Sequence, residues 1–448
     1  MTDVTTPQLP AVKRNFLQTL EIDTRLLGMI GSFVVICLVF QIWTGLRTLP
    51  DFVANPVAWI GAGRFLIPQN IFNITIQTVS VAIMATGMVF VIVTRHIDLS
   101  VGSLLATCSA IMGVMQVWIL PGTFGLPLGH PMIAPVAVIA GLLTGTALGA
   151  LHGWLVGYQG IPAFIVTLGG LLIWRNVGWH LSTGQTLGPL DHTFLMFGGI
   201  EGTLGETASW IIGGLGAAVA VWGIFRGRNA RAKHGFPVKP IWAEVTLAGI
   251  SVVAILGFIA VLNTYDIPIR RLERMFAARG EAVPEGYTQA FGLPISVLIL
   301  LVVAVAMAFI GERTRLGRYI YATGGNPDAA ELSGINTRLL TVKVFAIMGF
   351  LCALSAVVAQ ARLQIHNNDI VTLDELRVIA AAVIGGTALS GGIGTIHGAI
   401  LGALVMQSLQ SGMAMVGVES PYQNIVVGLV LVIAVWIDIQ YRKRSGAK

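Results

Sequence analysis

Charge is what this chain has least of. Asp, Glu, Lys and Arg make up 11% of 448 residues, whereas a soluble domain carries about 25%. So few charges cannot cover the surface of a soluble globule, nor keep a disordered chain in solution. A cytosolic enzyme and a disordered protein are both excluded. Cysteine is scarce as well. Cys37, Cys108 and Cys352 each fall inside an apolar stretch, and none stands at metal-ligand spacing to another. Neither a disulfide frame nor a zinc site is indicated. No lysine follows a glycine anywhere in the chain. There is therefore no Gly-x-x-x-x-Gly-Lys-Ser/Thr loop to cradle the phosphates of a nucleotide. A membrane enzyme would need His, Asp or Glu clustered at one membrane face, and no such cluster is found. Acidic residues at the middle of apolar runs are also rare, which counts against a proton-coupled carrier. That carrier remains the alternative reading.

What the chain does have is oil. Hydrophobic residues reach 55% and the mean hydropathy is +0.81. An integral, all-α membrane protein follows, because lone helices satisfy their own backbone groups in lipid. Crossing about 30 Å of hydrocarbon takes about 20 apolar residues. Twelve runs qualify: 26–43, 70–94, 98–120, 131–158, 162–181, 208–225, 241–262, 292–311, 340–362, 374–391, 395–417 and 421–438. The fifth and tenth are the weakest, being glycine-rich with polar interruptions, so the expected count is 10–12 spans. The division is a tail at 1–25, one membrane domain at 26–438 and a second tail at 439–448. No small-residue cleavage site follows the first run, which reads as an uncleaved anchor.

The net charge of +6 would suggest nucleic acid in a soluble protein. Here Lys and Arg sit in loops, where they orient the chain. With both termini in the cytoplasm, inner segments hold eighteen and the remainder nine, which agrees with the positive-inside bias. The cluster Arg270, Arg271, Arg274 and Arg279 is the exception.

Glycines recur every four residues at Gly141, Gly145, Gly149, Gly153 and Gly157, and again at Gly394, Gly398 and Gly402. Such spacing makes a small face on which another helix can lie closely. Aligned from Gly145 and from Gly394, seven of twelve positions match. The two segments run in opposite directions in the expected topology. This predicts an inverted repeat of spans 1–5 and 8–12, with 208–262 as an insert.

One loop, 312–339, carries a compact pattern. Asn326 can cap a helix, Pro327 suits its first position, Asp328 complements its dipole and Gly334 can end it. The spacing predicts a two-turn helix too short to stand alone. On physics alone it is either an ordinary loop helix or a docking knob.

At this point the sequence resembles the permease subunits of bacterial ABC importers for monosaccharides, the ribose/xylose/galactose group, and within them the xylose type. The matching segments are Gly87–Ile92 with Ile97–Ser103, Pro162–Gly169, Gly317–Asn336, Ala380–Gly392 and Gly412–Asp438. The chain departs from the family pattern at Arg95-His96 and at Asp374-Glu375-Leu376-Arg377, and the exact sugar stays open. The resemblance implies a type II ABC importer-like fold in the bacterial inner membrane and a homodimer. It also implies a periplasmic sugar-binding protein and a cytoplasmic ATPase on another chain, which carries the ATP and Mg. This chain would then be non-catalytic, with no cofactor or metal. ATPase coupling would fall to Arg315, Gly317, Arg318, Gly325, Asn326, Pro327, Asp328, Ala329, Ala330, Glu331, Ser333 and Gly334.

A sugar pathway needs amides, hydroxyls and aromatic faces. Candidates are Asn73, Gln77, Asp98, Ser100, Phe164, Trp174, Arg175 and Asn176, with Thr78 and Ser80 nearby. For each polar one the plainer reading is an interhelical hydrogen bond, worth about 0.6 kcal/mol on average. Asp98 and Asp374 stand at helix starts, where capping is the simpler role. Arg175 either reaches the outer surface or lines a wet path. His152 and His397, beside glycine faces, read as packed side chains.

Overall fold

A computed structural model describes residues 24–48, 56–277, 280–370 and 372–445. The expected N-terminal tail lies outside these residues up to position 23. Among the described residues the chain is helical, with only isolated β-bridges. The long helices of the first two thirds are α1 (Thr24–Thr48), α2 (Pro68–Val93), α3 (Val101–Val114), α4 (Ile133–Gly157), α5 (Ala163–Leu181), α6 (Gly205–Lys233), α7 (Ile241–Asn263) and α8 (Ile295–Arg313). Two short helices follow, α9 (Arg315–Gly325) and α10 (Pro327–Leu332). The chain then completes α11 (Thr337–Leu363), α12 (Asp374–Ile384), α13 (Ile396–Met415) and α14 (Ser420–Ser445). α3 continues through a π-helical stretch, Met115–Ile119, into Leu120–Phe124.

Each of the twelve apolar runs coincides with a helix, and among the described residues eight helices, α1–α4 with the continuation of α3, α6–α8 and α11, are long and apolar enough to cross a membrane. α5, α12, α13 and α14 are not among these eight, and α12 is the shortest of them. α12 holds 11 residues, which is roughly 16 Å at 1.5 Å per residue, about half the hydrocarbon. The two-glycine stop at Gly385 and Gly386 ends it. The expected C-terminal tail is mostly helix, since α14 runs on to Ser445.

Most of α2 is buried, as is the middle of α11. Here α2 and α11 form the hub, α3, α4, α8, α12 and α13 pack against them, and α5 lies outside on α3. The small face of α4 explains the closest approach. A Cβ on Gly145, Gly149, Gly153 or Gly157 would strike the backbone of α11 at Gly349, Phe345, Val342 or Arg338. Gly141 faces Met112 of α3 instead. On α13, Gly398 and Gly402 press on Gly385 and Ala381 of α12, while Gly394 lies against Val89 and Val93 of α2.

The two hub helices end alike. α2 is followed by Arg95 with φ +65° and α11 by Gln364 with φ +63°. Each then gives an irregular stretch and a new helix, α3 or α12, that opens beside carboxylates: Asp98 before one, Asp374 and Glu375 on the other. The starts of these helices meet, because Gly102 of α3 faces the Glu375 carboxylate. Irregular backbone at such a depth is tolerated only where protein covers it. α6 and α7 pack chiefly on each other at the periphery. The basic ends near Arg95, 226–240 and 313–343 all lie on the face that carries α9 and α10.

Candidate functional site

Two regions concentrate polar groups. The first lies inside the helix bundle, where the start of α12 leaves a gap against α2, the end of α11, and α13. The gap is a cavity of about 240 Å3 lined by Gln77, Ser80, Val81, Arg362, Leu363, Asp374, Arg377, Gln407 and Gln410. Asp374 is buried and accepts a 2.8 Å hydrogen bond from the Arg377 guanidinium, one helical turn on. The Gln407 amide donates to the Gln77 carbonyl at 2.7 Å, tying α13 to α2 across the floor. That bond leaves the Gln77 NH2 and the Gln407 carbonyl available to a guest. Charges at this depth are expensive and mark functional positions by default.

Of the residues singled out for the pathway, Gln77 and Ser80 line this cavity. Arg175 of α5 donates instead to the Thr372 hydroxyl at 2.5 Å, beside the cavity's approach segment. Asn73 is half-buried on α2, and Phe164 is exposed on α5. The Asn176 amide donates back to Leu172 O of its own helix. Asp98, Ser100 and Trp174 belong to a packed chain. Asp98 Oδ1 accepts from the Ser100 amide at 2.8 Å and from its hydroxyl at 2.5 Å. Ser100 Oγ lies 3.3 Å from His152 Nδ1, and the Trp174 indole donates to His152 Nε2 at 2.8 Å. This chain fastens the α3 start to α4 and α5, and His152 is packed as expected. Asp98 holds the turn before α3, as a short polar side chain does. Asp374 departs from the capping expectation. Its carboxylate takes Arg377, and Leu373, in the left-handed region, stands before α12 with no side-chain cap.

Sequence reasoning missed Arg362, Arg377, Gln407 and Gln410. The first two had been counted only toward orientation. Their position inside or against an apolar run was the available signal. The glutamines carry none, since a lone amide on a helix is ordinary.

The second region is the face bearing α9 and α10. Asn326 caps α10 by accepting from Ala329 N at 3.1 Å, Pro327 takes the first position, and Gly334, with φ +83°, ends the turn. Arg315, Arg318, Gly325, Asn326, Asp328, Ala329, Glu331, Ser333 and Gly334 are exposed and Pro327 is half-buried. Gly317 is buried against the end of α8, where a Cβ would meet the carbonyls of Ile310 and Gly311. Ala330, only 4% exposed, faces inward and seats the helix. Beside it stands Leu332, at 90% the most exposed of the large hydrophobic side chains described. The sequence reading had not singled it out.

This face is wired to the bundle. Arg95 donates to Gly324 O at 2.8 Å and to Gly325 O at 2.7 Å, the last carbonyls of α9. A guanidinium there satisfies orphan acceptors and complements the helix dipole. Gly392 N donates to Val93 O at 3.0 Å, and the Tyr321 hydroxyl donates to Gly394 O at 2.8 Å. Burial, and secondarily the charge of Glu312, raise the Tyr321 phenol above its ordinary range, so it stays a donor. The α2 end, the α9 end and the loop between α12 and α13 therefore meet at one glycine-lined junction.

Comparison with known proteins agrees with this architecture. The family model described as branched-chain amino acid transport system / permease component matches residues 70–435. The xylose transport system permease protein XylH of Escherichia coli K12 is 36% identical over 387 residues, 86% of this chain and 89% of that protein. XylH of Haemophilus influenzae is 36% identical over 383 residues, 85% and 92% of the two chains. The ribose import permease protein RbsC of E. coli K12 is 32% identical over 375 residues, 84% and 87%. No solved structure matches. A broken-helix bundle with a polar gap and a model match spanning most of its length place this multi-pass membrane chain in the family of branched-chain amino acid transport system permease components.

Proposed function

We propose that the chain is the membrane subunit of a binding-protein-dependent ABC importer that brings a monosaccharide, xylose or a close relative, into a bacterial cell. Its relatives named for xylose and ribose support the sugar class. The protein sits in the inner membrane with both termini in the cytoplasm, in keeping with the basic residues on the α9–α10 face. Two copies form the transport unit, a periplasmic binding protein delivers the sugar, and a separate ATPase supplies the energy.

The observation that carries the coupling is Leu332. A large apolar side chain standing clear of a capped, charged helix is the form of a docking anchor. Arg315, Arg318, Asp328 and Glu331 are exposed on the same two short helices, α9 and α10. ATP closes the partner subunits, α10 is pushed, and α9 passes the motion to the α2 and α12 junction through Arg95.

The test is to reconstitute the permease with its ATPase and binding protein in vesicles. Leu332→Glu is expected to reduce ATPase copurification and ATP-driven uptake at least about tenfold, the loss of one interface hot spot. Wild-type copurification and uptake in that variant would overturn the docking assignment. A charged residue at Ala330 is a poorer probe, because it would unseat the helix itself.

A further inference from the structure

We propose that the cavity between α2, α11, α12 and α13 is a transit site that holds one uncharged monosaccharide within the bilayer; this rests on the importer reading above. The void is about 240 Å3, the liquid volume of roughly eight waters. One monosaccharide fits, and maltose reads whether a disaccharide enters as well.

The lining has the right chemistry for hydroxyl groups, which both donate and accept. Arg362, Arg377 and the Gln77 NH2 are donors. Asp374 and the Gln407 carbonyl are acceptors. Val81 and Leu363 offer a small apolar surface for ring C–H groups. Asp374 pairs with Arg377 at 2.8 Å, and its other charged neighbours, Arg362 and Glu375, are of opposite sign to one another, so the site is not built around an ion. No aromatic ring lines the cavity among the described residues. The stacking platform that strengthens sugar binding is missing, which suits a site that must release its guest.

Geometry places the site on a route. It lies at the point where α11 has ended and α12 has just begun, so one wall is irregular chain and one is a helix start. Gln77 stands nine residues along α2 from Pro68, roughly 14 Å from that end at 1.5 Å per residue. From here α12 leads to Gly385 and on to the junction with Arg95 and Gly324. A movement of α10 thus reaches the cavity wall through the other end of α12.

The experiment uses the assembled transporter in vesicles. The three native cysteines are buried, so Gln410→Cys gives a single accessible thiol on the cavity wall. Its modification by a small thiosulfonate reagent is followed without ATP, with saturating D-xylose, with maltose and with xylonate. Xylose is expected to slow modification at least about threefold, as occupancy well above the dissociation constant requires. Maltose and xylonate are expected to leave the rate unchanged. Adding Gln407→Leu should cost about threefold to tenfold in xylose protection, the worth of one neutral hydrogen bond. Retained ATPase copurification shows that this variant is folded. Equal protection by maltose, better protection by xylonate, or no protection by xylose overturns the proposal. Full protection in the folded Gln407→Leu protein does so as well. Failure of the importer reading shows separately, as protection by xylose without any ATP-driven uptake.

Discussion

Single residues set how closely the helices approach. Gly349 of α11 and Gly145 of α4 lie backbone to backbone, so a Cβ on either would meet the other's carbonyl. Gly349→Val is expected to destabilise the protein by about 1–3 kcal/mol through overpacking, read as a lower Tm in detergent. Gly169→Ala is the control. Nothing lies within 4 Å of a Cβ there, and Ala gains up to about 1 kcal/mol over Gly in a helix. The four-residue glycine spacing on α4 announced a small face, and that much was legible. Its partner was not, because Gly349 stands alone in its helix with no pattern around it. Leu332 was illegible for a related reason. A leucine at the last position of a helix opened by a capping Asn-Pro reads as the residue that seats the helix, and only the fold shows that Ala330 has taken that place.

At the scale of elements, the short and broken pieces matter more than the long ones. Arg95 joins the end of α2 to the end of α9 with two charge-assisted hydrogen bonds. Arg95→Ala is expected to speed amide exchange in 320–334 and 386–394 while leaving α4 unchanged. Uptake should fall even though the ATPase still docks on α10. Unchanged exchange at both segments would refute the junction. Tyr321 adds a pH dependence of definite sign. Its raised pKa means that the fold favours the neutral phenol, so its contribution is complete below the ordinary value of about 10. It is lost as pH rises through the higher folded value. Tyr321→Phe should remove that alkaline loss in a melting-temperature profile. The sequence located all twelve apolar runs and marked the tenth as one of the two weakest; it forms 11 helical residues. A run of apolar residues records burial, and burial inside protein looks the same as burial in lipid. The polar cavity was hidden, since its lining comes from four helices and only Gln77 and Ser80 carried a signal.

The whole molecule has the form of a conduit worked from one face. Its sequence has no Gly-x-x-x-x-Gly-Lys-Ser/Thr loop, and its polar cavity and α10 lie on different elements. In vesicles holding the complete transporter, sugar accumulation is expected to follow ATP and to survive collapse of the pH gradient. Accumulation that follows the gradient without ATP would favour the proton-coupled alternative. The irregular segments also bear on how the protein is made. α12 brings Asp374, Glu375 and Arg377 in its first turn, and each charge costs about 2.5–3.5 kcal/mol to leave at the centre of an isolated inserted helix. The insertion machinery cannot hand this segment to lipid by itself. It must wait until α11 and α13 have been synthesised and can enter beside it, so the last third of the chain is expected to integrate as one packet. Released chains truncated between Gly386 and Ile396 should leave residues 364–384 exposed to aqueous reagents, and the full-length chain should bury them.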